Sequence, residues 1–145
     1  MTTETELHAA VRLSVNLLRA YVTRDQAAVH RALEGLDRQR LEQVLAVLIV
    51  GHDVNFDELG EPSHSVKALR ATAALAPIDA ELAVTTAVDR VATGESGFLG
   101  AVADLDDLTG QIHTMAVTTA VMLTDALGAA GALQETDKWL RTATT

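Results

Sequence analysis

The chain has 145 residues, of which 48% are hydrophobic and only 3% aromatic, with no cysteine and a formal charge of −9. That length fits one domain with its own core, and the missing cysteines exclude disulfides, thiolate metal sites and cysteine nucleophiles. An acidic surface repels phosphate backbones, and so few rings give bases little to stack on, which argues against a nucleic-acid partner.

The charge is unevenly spread. Residues 1–50 carry six acids and six arginines, residues 51–64 four acids and no base, and residues 78–145 ten acids against three bases. Basic protein surfaces are therefore the easier partners. The start, MTTETELHAA, lacks the basic-then-apolar order of a signal peptide. The longest apolar run, VLAVLIVG, is far shorter than the roughly 20 residues a membrane span needs. No membrane partner is expected, and the cysteine-free composition suits the reducing cytoplasm.

In chain order, Leu7, Val11, Val15, Leu18 and Val22 share one face of a first helix over residues 3–22, with Thr3 and Glu6 at capping-box spacing. Thr23 and Gln26 repeat that spacing before a short second helix, whose inner face is Ala28, Val29, Ala32, Leu33 and Leu36. Asp37 caps a third helix that runs to the low 50s; apolar nearly all round, it is expected to be the central one. Ser63 or Ser65 caps a fourth helix bearing Val66, Leu69 and Ala73. Pro77 opens a fifth, with Ile78, Leu82, Val88 and Val91 as its inner face. Phe98, Leu99, Val102 and Leu105 form a short sixth. Asp106 or Asp107 caps a seventh with Ile112, Met115, Met122 and Ala126 on one face, ended by Gly128 and Gly131. Residues 132–142 make a last helix docked by Leu133, Trp139 and Leu140.

No segment alternates with period two, so the expected fold is all-α, a single domain over residues 1–145 built as a bundle of seven or eight helices. The order long, short, long occurs twice. TRDQAAVHRALEGLDRQRLEQV can be laid over TGESGFLGAVADLDDLTGQIHTM, pairing Thr23 with Thr93, Asp25 with Glu95 and Gln39 with Gln111. The domain can thus be read as two related three-helix halves, 3–56 and 78–130, joined by a connector at 57–77.

The richest stretch chemically is GHDVNFDELGEPSH, residues 51–64, with two histidines and four carboxylates. One reading is a polar helix end and connector, in which His52 meets the negative end of the preceding helix and Glu61-Pro62-Ser63 breaks and recaps the chain. A loop of His52, Asp57, Glu61 and His64 around a metal is a second reading, although it matches no zinc or calcium loop pattern. A third takes the pair His52-Asp53 as ligands of a divalent metal able to activate water. That pair, following an apolar helix, is similar to the hallmark of the HD-domain phosphohydrolases. The resemblance implies an all-helical metal-dependent phosphohydrolase whose site is completed by an earlier histidine, here His30, and a later aspartate among Asp104, Asp106, Asp107 and Asp125. Val54-Asn55-Phe56 departs from the small, lysine-containing continuation often seen in that family.

Other polar residues point to no chemistry. His8 and His113 stand alone, and Ser14, Ser63, Ser65 and Ser96 lack the context of a nucleophile elbow. Gly94-Glu95-Ser96-Gly97 has no lysine and forms no phosphate loop. The acidic cluster of Asp104, Asp106 and Asp107 serves for capping, solvation or docking of a basic partner. Arg12 and Arg19, and Arg24, Arg31 and Arg38, recur every seven residues, giving an arginine stripe that can meet the acidic half of another copy.

The leading expectation is a small acidic helical protein-interaction protein, a regulator or assembly component, non-enzymatic, cofactor-free and self-associating. A metal-dependent phosphohydrolase using His30, His52 and Asp53 is the alternative. A helical sensor with a small-molecule pocket is the third.

Overall fold

The computed structural model describes residues 4–62, 65–95 and 98–144. Expectations that fell on Thr3, Ser63, His64, Ser96 and Gly97, and on the side chains of Phe98 and Leu99, lie outside the described residues. Seven helices and no strand are found among the described residues: α1 (Glu4–Val22), α2 (Gln26–Arg31), α3 (Arg38–Glu58), α4 (Val66–Ala73), α5 (Ile78–Ala92), α6 (Phe98–Ala103) and α7 (Leu108–Thr144). The all-helical expectation is met.

Local chemistry accounts for most boundaries. Asp25 accepts from the Ala28 amide, Asp37 from Arg40 and Ser65 from Ala68, so each satisfies a donor that its helix leaves free. Thr23, expected to cap α2, instead donates to the Arg19 carbonyl at 2.8 Å and closes α1. Asp107, one of the two expected caps of α7, receives the Thr109 amide.

Position 51 does not end α3. The helix continues through His52 to Glu58, past the low 50s where the sequence pattern ends it, so Asp57 and Glu58 close it. One glycine in a helix interior costs about 1 kcal/mol, and the apolar contacts on either side outweigh that.

The central helix is α7, not α3. Every residue from 112 to 123 is buried, whereas α3 buries only Val44, Leu48, His52 and Asn55. Polar residues disguise this in the sequence. Thr114, Thr118 and Thr119 each donate to the carbonyl four residues earlier, at 2.8, 2.9 and 2.7 Å, and so present methyl groups to their neighbours. α1, α3, α4, α5 and α6 all pack against α7. By length and composition α7 could cross a membrane over Leu108–Thr142, with mean hydropathy 1.5, yet half of that apolar window is buried inside the protein.

Nor is Ile78/Leu82 an inner face. These side chains are 84% and 77% exposed; Val88 faces the core as expected, and Ala80, Val84 and Ala87 take the rest of that face. Small residues serve there because the helices run close: a methyl added to Gly110 of α7 would stand 2.8 Å from the Ala83 methyl of α5.

α7 changes direction at Gly128, where φ is 76° and ψ 168°. That backbone is essentially open to glycine alone. It sends the C-terminal arm of α7 back along α1 and α3, where Arg19 binds Asp137 at 2.9 Å and Trp139 lies over Gly51. A β-carbon at 128 would meet no atom within 4 Å, so substitution there tests the backbone alone. Gly128→Ala is expected to lower unfolding stability by about 1–3 kcal/mol in urea titrations, with the helix content of the native state unchanged.

Candidate functional site

α1, the second half of α3 and the C-terminal arm of α7 border a groove of about 660 Å3. Its walls are Leu7 and Val11 from α1, Ala46, Val47, Val50 and Val54 from α3, and Trp139 from the arm. Most of this surface is apolar, and three of its members stand in solvent: Leu7 is 48% exposed, Val50 62% and Val54 49%. The few polar groups lie at the edges. Glu58 is exposed, and Lys138 reaches Glu135 at 3.5 Å. Asn55, buried in α3, donates its amide to the Gly51 carbonyl at 2.8 Å.

Gly51 shapes this groove. A methyl there would overlap the Trp139 ring, 2.7 Å from Cζ2 and Cζ3 and closer still to Cη2. Glycine lets the indole come into close contact with α3 and form a wall. Nothing in the local pattern around Gly51 announces an aromatic partner 88 residues away.

The metal-site candidates are placed differently. Among the described residues, no group of three or more His, Asp or Glu side chains could hold a metal ion. His30 lies exposed on α2, close enough to His113 to disfavour its protonation. His52 is buried in α3 with Nδ1 3.4 Å from Asp53 Oδ1, and its ring stacks on Phe56 with centroids 5.8 Å apart. Burial pushes the His52 pKa down, against the opposing pull of Asp53. Asp57 and Glu61 are exposed at the end of α3. His52 and Asp53 thus stay together as neighbours in one helix, without His30 joining them in a ligand group.

A polar pair that sequence reasoning passed over lies in the core. Tyr21 of α1 and His113 of α7 are both buried, with Oη 2.7 Å from Nδ1 and their rings edge to face. Burial raises the Tyr21 pKa. Burial also lowers that of His113 to about 4, helped by His30 and opposed by Asp107. The pair holds α1 to α7 as a neutral hydrogen bond. Burial of both side chains makes the pair a structural element.

No protein-family model, no curated protein and no solved structure matches the chain.

Two outcomes follow from this geometry. An unfolded His113 takes up a proton near its ordinary pKa of 6.5, and the folded one only near 4. Its contribution to stability is therefore complete above about pH 6.5, falls as pH drops from there to about 4, and changes no further below. Urea unfolding should lose roughly 2–3 kcal/mol from this group between about pH 7 and pH 4.5, while the His113 ring resonances in NMR stay those of the neutral form until near pH 4. Separately, Gly51→Ala should force Trp139 off α3. Trp139 is the only tryptophan in the chain, so a red shift of its emission, with α3 intact by circular dichroism, reads the displacement directly.

Proposed function

We propose that this is a small acidic helical interaction protein, non-enzymatic and self-associating, whose working surface is the apolar groove between α1, α3 and the arm of α7. The observation that carries the reading is the exposure of Leu7, Val50 and Val54 in the groove that Trp139 also lines. Apolar side chains gathered in a concave patch, with charged groups at its border, are the usual form of a surface that buries a partner helix. The order α1, α2, α3 against α5, α6, α7, each long, short, long, supports reading the domain as two related halves around the buried stretch of α7. Cysteine-free composition supports a cytoplasmic setting.

The groove volume also lies within the range that binds small molecules, about 300–1,000 Å3. This supports a sensor as the second reading. Trp139 would report such a ligand through its emission.

Charge placed on the exposed valines separates these readings. Val50 and Val54 are 62% and 49% exposed, so with Val50→Asp/Val54→Asp the fold and melting temperature should change little. The native mass spectrum of the wild type should contain multiples of the 15.3 kDa chain, and that of the double variant should collapse to the single chain. Ile78→Asp/Leu82→Asp is the matched control on α5. A wild type that is monomeric at every concentration, but whose Trp139 emission responds to apolar small molecules, would favour the sensor.

A further inference from the structure

A second, smaller cavity of about 150 Å3 lies where the turn between α1 and α2 meets α4 and α7, and it shares no lining residue with the groove. Two opposite charges line it, Arg24 from the turn and Asp125 from α7. Both are exposed, and neither forms an ion pair with the other or with any described residue. The Arg24 guanidinium donates once, to the Ala71 carbonyl of α4 at 3.4 Å.

Arg24 is held at a conformational cost. The Asp25 amide bonds to the Ala20 carbonyl and the Arg24 amide to that of Tyr21, so Arg24 takes the place just past α1 with φ at 59°. Glycine is the usual residue there, because a β-carbon strains a left-handed backbone.

The hydroxyls around this cavity break the habit of the chain. Thr85, Thr86, Thr114, Thr118 and Thr119 each donate to the carbonyl four residues earlier in their own helix. Thr72 of α4 and Thr124 of α7 also stand beyond the first turn, yet neither hydroxyl bonds to a described residue, and both residues line the cavity. Thr72 is only 7% exposed. No fully buried side-chain oxygen among the described residues is left unpaired, so the Thr72 hydroxyl opens onto the cavity.

We infer that this cavity binds a small zwitterion, a free α-amino acid of about alanine's size, with its carboxylate on Arg24 and its ammonium on Asp125. A lone anion would meet the opposing charge of Asp125, and a lone cation that of Arg24, whereas a molecule carrying both charges satisfies both. The two threonine hydroxyls can donate to the carboxylate or accept from the ammonium, which supplies hydrogen bonds that the ligand loses on leaving water. Volume sets the size, since a cavity this large holds benzene, with about six non-hydrogen atoms, as many as alanine has. Ala68, Ala120 and Val121 on the lining leave an apolar place for its methyl group.

The test is an NMR titration of the full chain with L-alanine, read at the amide and methyl resonances of Thr72 and Thr124, which should both shift saturably. Propionate and ethylamine, with one charge each, should bind about tenfold more weakly or worse, and L-phenylalanine, too large for the cavity, should leave the resonances in place. Asp125→Asn and Thr72→Val should each weaken the alanine response about tenfold. Arg24→Gly should abolish it while leaving the urea midpoint equal or higher, because glycine relieves the left-handed backbone. A lowered midpoint would make the arginine a cap of α4 and overturn its assigned role. Failure of glycine, alanine and serine alike to shift these resonances overturns the inference. An equal response to propionate or to ethylamine does so too, since the site would then read a single charge, as does full alanine binding by Arg24→Gly or Asp125→Asn.

Discussion

Burying one helix on every side constrains the rest of this protein. Over residues 112–123, α7 has no solvent face, so each polar group on it must be satisfied inside the protein, since a buried unpaired one costs several tenths to a few kcal/mol. Three threonines meet this by donating within their own helix. His113 cannot, and it needs Tyr21 of α1. That requirement fixes how α1 lies on α7, and α1 in turn holds the returning arm through Arg19 and Asp137. No buried side-chain nitrogen or oxygen among the described residues is left without a partner.

A core almost without rings has geometric consequences. With Ala, Val, Leu and Met as its filling, the protein holds its helices close, and the glycines at 51 and 110 mark where a methyl would collide. Close approach extends packing density without large side chains. It also frees the single tryptophan from core duty. Trp139 is half-buried, placed at an edge where its face forms part of an open surface. The groove is thus a by-product of helix economy at the α3–arm crossing, kept open because no large side chain of the chain itself fills it.

Much of the fold was legible because it depends on neighbours in sequence. The caps Asp37 and Ser65, the opening of α5 at Pro77 and the break at Gly128 are all local events, and they stand where turn and cap chemistry puts them. What failed depends on distant partners. α3 looked central because it is apolar all round, yet burial is decided by which helices surround it, and Val50 and Val54 are left outside. α7 looked less buried because threonine counts as polar until its hydroxyl is turned inward. Ile78 and Leu82 were assigned inward by spacing, but the small residues Ala80 and Ala87 win that face, since only they fit between helices so close. The groove was not legible at all. It is assembled from residues 7 to 142, and its exposed valines are the same residues whose hydrophobicity suggested burial.

That reversal bears on function. An exposed valine on a helix loses nothing by replacement with alanine, glutamate or lysine, each at least as good a helix former. Val50 and Val54 stand four residues apart on one face of α3, beside Leu7 and Trp139. Exposed valines that a single copy could replace without loss are the feature on which the proposed interaction surface rests.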